Sequence, residues 1–266
     1  MKNGMIDGRV VHRSSWAWLG LILMAGFGSG YAEASELADT VSAVKPSIVG
    51  IGTYSPSRRP PSRLSGTGFV VGDGHYIATN AHVVDIELDD RKKEQLVVFV
   101  GTGNNPRVIP ATIVASEGQH DLALLKVSDS LPAMRLSNRK TVREGENYVF
   151  TGFPLGAVLG LYPVTHRGMI SSITPMVIPA RSSGQLSAQK IRQLRQPLMV
   201  YQLDATAYPG NSGSPLYDPD DRSVVGIING VYVKSTKEDV LSDPSGISYA
   251  IPVRYLRELL SSLTGG

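Results

Sequence analysis

Along most of the chain, apolar residues come in short runs in which β-branched side chains alternate with polar ones, broken by Gly, Pro, Asn and Asp. A period of two bounded by turn residues is the pattern of half-buried strands. One set reads SIVGIGT (47–53), GTGFVVG (66–72), HYIATNA (75–81), QLVVFVG (95–101), RVIPATIVAS (107–116) and DLALLKV (121–127). A second reads NYVFTGF (147–153), PVTHRGMISSI (163–173), PLMVYQLDA (197–205), GSPLYD (213–218), SVVGIINGVYV (223–233) and GISYAIPV (246–253), after a polar connector over 128–145. Six short strands in each half favour two small closed barrels or sandwiches, because small antiparallel sheets protect their edges by curling shut. The expected fold class is all-β, with halves at 35–135 and 136–266. Two helices frame it. One is a short helix over Glu36 to Val44 ended by Pro46, and the other a terminal helix with Val253, Leu256, Leu259, Leu260 and Leu263 on one stripe.

The first residues follow another pattern. Lys2, Arg9 and Arg13 precede an uncharged stretch from Ser14 to Ala32, and Ala32-Glu33-Ala34 supplies a small-residue exit. A basic start, an apolar centre and an Ala-x-Ala end make a secretory signal, residues 1–34, with cleavage before Ser35. An uncleaved membrane anchor is the alternative, since the stretch from Ser14 to Ala32 is just long enough to span a bilayer. Gly20, Gly26, Gly28 and Gly30 dilute it, and the exit pattern has no purpose in an anchor. The expectation is export to a bacterial periplasm or exterior, with no stable membrane insertion after cleavage.

Composition narrows the chemistry. With no cysteine in 266 residues there are no disulfides, thiolate metal sites or Cys nucleophile. A net charge of +3 lacks the dense one-sided charge of most nucleic-acid binders, and no nucleic acid is expected as a partner. One insertion stands apart: between Ile173 and Leu198 lie Arg181, Lys190, Arg192 and Arg195 with no acidic residue. It is either a working basic loop or a plain solvated excursion.

Three segments carry candidate chemistry: TNAHVV (79–84), HDLALLKV (120–127) and YPGNSGSPL (208–216). Hydrolysing an amide near neutral pH needs a nucleophile, a base to take its proton, and a group that holds the base in one tautomer. Imidazole titrates near working pH and a carboxylate orients it, so His82, Asp121 and Ser212 fit those roles. Gly210 lets the backbone turn sharply, bringing the N–H groups of Gly210 and Ser212 toward one spot, as an oxyanion requires. Taken singly, His82 could be a packing residue at a strand end, Asp121 a turn cap and the Ser212 glycines a tight hairpin. Other plans fail on order. An α/β-hydrolase places its histidine after its serine, whereas His12, His75, His82, His120 and His166 all precede Ser212. No H-E-x-x-H occurs, and neither metal nor organic cofactor is implied. His120 is the rival base, but strand alternation would turn it away from the face that Asp121 uses.

With GTGFVV upstream, TNAHVV, DLALLKV and GNSGSP resemble the HtrA/Deg branch of the trypsin-like serine proteases, over roughly Leu37 to Leu256. The resemblance implies two perpendicular six-stranded, chymotrypsin-like barrels with the site in the cleft between them. It implies His82 and Asp121 from the first barrel and Ser212 from the second, and an oxyanion hole from the amides of Gly210 and Ser212. It also implies a substrate strand paired with Ile227, Ile228, Asn229 and Gly230. The primary pocket would be walled by Thr206, Ala207, Tyr208 and the run from Gly226 to Val231. None of these is acidic, so a small or medium apolar residue is expected at the cleaved position. There are departures. Ser214 stands where the family has a second glycine, the loop from Thr174 to Gln196 is long, and 13 residues follow Val253, so no PDZ domain is expected. The implied function is an exported serine endopeptidase acting on polypeptides. Its alternative is a protease-like chaperone or peptide-binding module whose oxyanion hole is not formed. Oligomeric state is open.

Overall fold

The computed structural model describes residues 29–103, 105–154, 160–176, 197–230 and 247–264. Residues 40–266 make one compact unit, and the chain up to Asp39 makes another. Helix α1 (Ser29–Val44) extends further toward the N-terminus than the expected short helix. The rest of the candidate signal segment, residues 1–28, lies outside the described residues, as does 177–196 of the basic insertion.

Each expected strand is present. The first half comprises β1 (Ile48–Tyr54), β2 (Ser62–Val71), β3 (Tyr76–Thr79), β4 (Gln95–Val100), β5 (Arg107–Glu117) and β6 (Leu122–Val127). It closes in the order β1-β2-β3-β6-β5-β4. The second comprises β7 (Asn147–Gly152), β8 (Val164–Met176), β9 (Leu198–Leu203), β10 (Pro215–Tyr217), β11 (Val224–Asn229) and β12 (Ser248–Pro252). It closes as β10-β11-β12-β9-β8-β7. Closure pairs every edge and leaves no open row of backbone donors.

Alternation gives each barrel its own core. Val49, Ile51, Val70, Ile77, Val98, Ala123 and Leu125 fill the first, and Tyr148, Phe150, Ile170, Leu203, Leu216, Val225 and Ile228 fill the second. A fully buried aliphatic or aromatic side chain contributes about 1.5–3 kcal/mol, so two such clusters carry most of the fold's stability. The terminal helix α3 (Val253–Thr264) buries Val253 and Leu256 as the apolar stripe requires. Among the described residues no helix is long and apolar enough to cross a membrane.

Two expectations are corrected near the candidate site. The run 75–81 is not strand throughout: β3 stops at Thr79, and Ala81–Val84 form a one-turn helix, α2, so His82 sits on a helical turn. Asp121 does not begin a strand either. It precedes β6 with φ at 52°, a left-handed conformation that Asp tolerates better than most residues. Strand alternation therefore does not apply to His120 and Asp121.

At the start of β7, Tyr148 donates from its hydroxyl to Glu146 Oε2 at 2.7 Å, and Arg143 Nε donates to Glu146 Oε1 at 2.9 Å. The Tyr148 bond first, and Arg143 with it, hold the Glu146 carboxyl down at about 2. A carboxyl depressed on folding stabilises above its unfolded value, and that stability is lost as pH falls through the folded value. Tyr148→Phe is therefore expected to return the Glu146 titration toward 4.5. The variant should then lose its Glu146 contribution at a higher pH than the parent. Carboxyl titration by NMR, paired with urea unfolding across the acid range, checks this; an unmoved Glu146 titration would refute it.

Candidate active site

Asp121 gathers the site. Its backbone carbonyl accepts from Asn80 Nδ2 at 3.0 Å and from the Ala81 N–H at 3.1 Å. Its carboxylate oxygen Oδ1 accepts from the His82 N–H at 2.9 Å. The other oxygen, Oδ2, pairs with His82 Nδ1 at 2.6 Å and accepts from Asn229 Nδ2 at 2.8 Å. Asp121 is 8% exposed, so its charge is balanced by these donors and not by solvent. With Nδ1–H given to the carboxylate, the neutral ring of His82 has Nε2 as its acceptor. Two bonds to one residue, through backbone and ring, fix the His82 side chain in place.

The other described histidines are occupied elsewhere. His75 Nδ1 faces the Val127 carbonyl at 3.3 Å. His120 pairs with Glu117, and His166 stacks on Phe150, where burial pushes its imidazole below its ordinary value.

Ser212 stands on a turn from the second barrel that is tied to the first. Its carbonyl accepts from Thr67 N at 2.9 Å, and the Gly210 carbonyl accepts from Thr67 Oγ1 at 2.6 Å. The same Thr67 hydroxyl accepts from Phe153 N at 3.0 Å, so one side chain of β2 binds two segments of the other barrel. Gly213 and Ser214 add a short ladder to β11: the Ile228 carbonyl accepts from Gly213 N and the Ser214 carbonyl from Ile228 N, both at 2.9 Å. Gly213 has φ at 88°, and a Cβ there would lie 2.0 Å from the Thr67 carbonyl oxygen, so only glycine fits.

The preceding turn is equally defined. Tyr208 O accepts from Asn211 N at 3.0 Å across Pro209 and Gly210, with Gly210 at φ 100°. Proline followed by a positive-φ glycine makes a type II β-turn, which sets the peptide plane carrying the Gly210 N–H. Among the described residues no carbonyl accepts from the N–H of Gly210 or Ser212.

Two neighbours in sequence link the His82–Asp121 pair to the serine turn. Asn229 donates to the Asp121 carboxylate while the next residue, Gly230, donates its N–H to Ser212 Oγ at 3.4 Å. On the other flank, a Cβ on Gly66 would touch both Val83, next to His82, and the Ser212 carbonyl.

The expected substrate-binding residues divide. Thr206, Ala207 and Tyr208 are half-buried, and Ala207 N donates to Ser248 Oγ at 2.7 Å. Ile227 and Ile228 are corrected. Both are fully buried and β11 is flanked on both sides, by β10 at Ile227↔Pro215 and by β12 at Ile227↔Ile251 and Ile228↔Ala250. The Ser214–Ile228 ladder takes the remaining groups, so neither residue has backbone left for an incoming strand. Asn229 is paired with Tyr249 and is 1% exposed, and its amide serves Asp121 instead of a pocket. Of the four, Gly230 remains, half-buried, just beyond the end of β11. Val231 lies outside the described residues. Sequence reasoning missed the roles of Thr67 and of the Asn229 amide. Each lies in an ordinary apolar strand, and only register reveals what its side chain meets.

Residues 66–227 match the trypsin-like peptidase domain. Among curated proteins, the mitochondrial serine protease HTRA2 of Drosophila willistoni is 32% identical over 205 residues, covering 77% of this chain and 39% of that protein. The chain thus spans less than half the length of such relatives. Among solved structures, a serine endoprotease from Yersinia pestis is similar with a TM-score of 0.58 and 26% identity, over 85% of this chain and 66% of that one. An HtrA-type protease with a tripeptide is similar with a TM-score of 0.59 and 26% identity, over 85% and 63%.

The serine turn depends on Gly213 having no side chain. Gly213→Ala is expected to cost at least about 3 kcal/mol, because its Cβ must displace backbone at a positive φ. Gly118→Ala, where nothing lies within 4 Å of the added carbon, should change stability by under about 0.5 kcal/mol. Urea unfolding of the two variants side by side makes the comparison, and equal stabilities would contradict it.

Proposed function

Because the chain belongs to the trypsin-like peptidase family, with HtrA proteases among its relatives, we propose that it is a serine endopeptidase cleaving polypeptides through an acyl-enzyme on Ser212. One observation carries the reading. The imidazole of His82 is fixed by the Asp121 carboxylate at 2.6 Å, and the dipeptide Asn229-Gly230 bonds that carboxylate with one residue and the Ser212 hydroxyl with the next.

In this scheme Ser212 Oγ attacks the scissile carbonyl as His82 Nε2 takes its proton, and the carbonyl oxygen becomes an oxyanion. The N–H groups of Gly210 and Ser212 receive that charge; the type II turn and the absence of described acceptors for both amides support this role. Such a donor contributes about 3 kcal/mol of barrier reduction. His82 then gives its proton to the leaving amine, the C–N bond breaks, and water repeats the sequence to release the acid. Asp121 stabilises the imidazolium and stays ionised. The turn geometry at Gly210 favours this reading over a module with an unformed hole.

The Gly230 carbonyl, just beyond the last residue of β11, is the backbone group that accepts from substrate, since its N–H already serves Ser212. Thr206, Ala207 and Tyr208 offer no carboxylate to the residue at the cleaved bond, which is therefore small or medium-sized and apolar. The N-terminal pattern directs the chain to export with cleavage before Ser35.

A serine-directed fluorophosphonate is expected to label Ser212 in the full chain, with labelling reduced at least about 100-fold in His82→Ala. Profiling on a peptide library should show cleavage after apolar residues and little after Lys or Arg. No labelling under any condition, with peptide binding unchanged in Ser212→Ala, would instead establish the chaperone-like module.

A further inference from the structure

The turn that delivers Asp121 is held from outside by the C-terminal helix. Within the turn, Glu117 Oε1 accepts from Gln119 N at 2.8 Å and Oε2 accepts from His120 N at 3.2 Å, while His120 Nδ1 also pairs with Oε2. The His120 ring is thus clamped at one edge by its own turn. Its face is covered by Tyr255 of α3, with ring centroids 3.9 Å apart and planes within 18°. Tyr255 is itself seated: Val253 and Leu256 on either side of it are buried, and Arg254 lies 4.5 Å over its ring while donating to its hydroxyl at 2.8 Å. Stacked rings attract beyond the area they bury, so this contact holds the turn against the helix.

The residue after His120 is Asp121, whose backbone is left-handed at φ 52°. A non-glycine residue in that region relaxes unless its surroundings hold it. Its carboxylate must stay within hydrogen-bond reach of His82, and misplacement of a catalytic group by about 1 Å can cost 100-fold in rate. The other bonds to Asp121 come from Asn80, Ala81 and His82 and from Asn229, and none of them reaches the His120 side of the turn.

We infer that Tyr255 is a positioning residue for Asp121, acting through its stack on His120, so that the docking of α3 sets the alignment of His82. This rests on the proposed roles of His82 and Asp121. A helix that follows the second barrel thereby governs a turn of the first, across the seam from the barrel it extends.

The test uses the full chain with Tyr255→Leu and Tyr255→Phe. Leucine keeps apolar bulk on α3 but offers no ring face, and phenylalanine keeps the face without the hydroxyl. Tyr255→Leu is expected to lower kcat about ten-fold with KM within two-fold, and Tyr255→Phe to restore kcat to within two-fold of the parent. The downfield imidazole proton of the His82–Asp121 hydrogen bond, observed by NMR, should be sharp in the parent and in Tyr255→Phe, and broadened or lost in Tyr255→Leu. Parent kcat and an unchanged proton signal in a folded Tyr255→Leu would overturn the inference. If the parent hydrolyses no peptide, the proposed activity fails by itself, and the imidazole proton still decides whether Tyr255 holds Asp121. Should Tyr255→Leu fail to fold, His120→Ala removes the other partner of the stack and is read by the same signal.

Discussion

A single buried carboxylate organises the centre of this molecule. Asp121 accepts from His82 twice and from Asn229 once, and its carbonyl takes Asn80 and Ala81. Removing a buried negative charge from water is costly unless donors replace the lost hydration, so these groups are a condition of the residue being charged there. The donors come from α2 beside it and from β11 of the opposite barrel. Satisfying one side chain therefore fixes both a helical turn and the seam between two closed sheets.

Thr67 makes the reciprocal tie. Where Asp121 draws a residue of the second barrel toward the first, Thr67 extends from the first to hold the carbonyls of Gly210 and Ser212. Residues of the connections 80–94, 118–121 and 204–214 are thereby tied to one another. The barrels supply stiffness, and the turns between their strands supply the chemistry, the usual division of labour in folds whose functional groups sit on loops.

The legible part of this fold was the part governed by local periodicity. Twelve alternating runs became twelve strands, and the stripe from Val253 to Leu263 became α3, because burial of one face is written directly into such runs. His82, Asp121 and Ser212 were legible as residue types in motifs. Their backbone was not. His82 lies on a helical turn and Asp121 in a left-handed conformation, both set by the hydrogen bonds around the carboxylate. Ile227 and Ile228 read as available for an incoming strand and prove to be enclosed, since β11 pairs with β10 before it and β12 after it, and alternation does not report pairing. The Asn229 amide was hidden for the same reason.

The Thr67 tie also decides how the molecule fails. Its bonds to Gly210 and Ser212 cross the boundary between two separately cored barrels. Any opening there releases the Thr67 anchor of the serine turn while the hydrogen bonds within each barrel still stand.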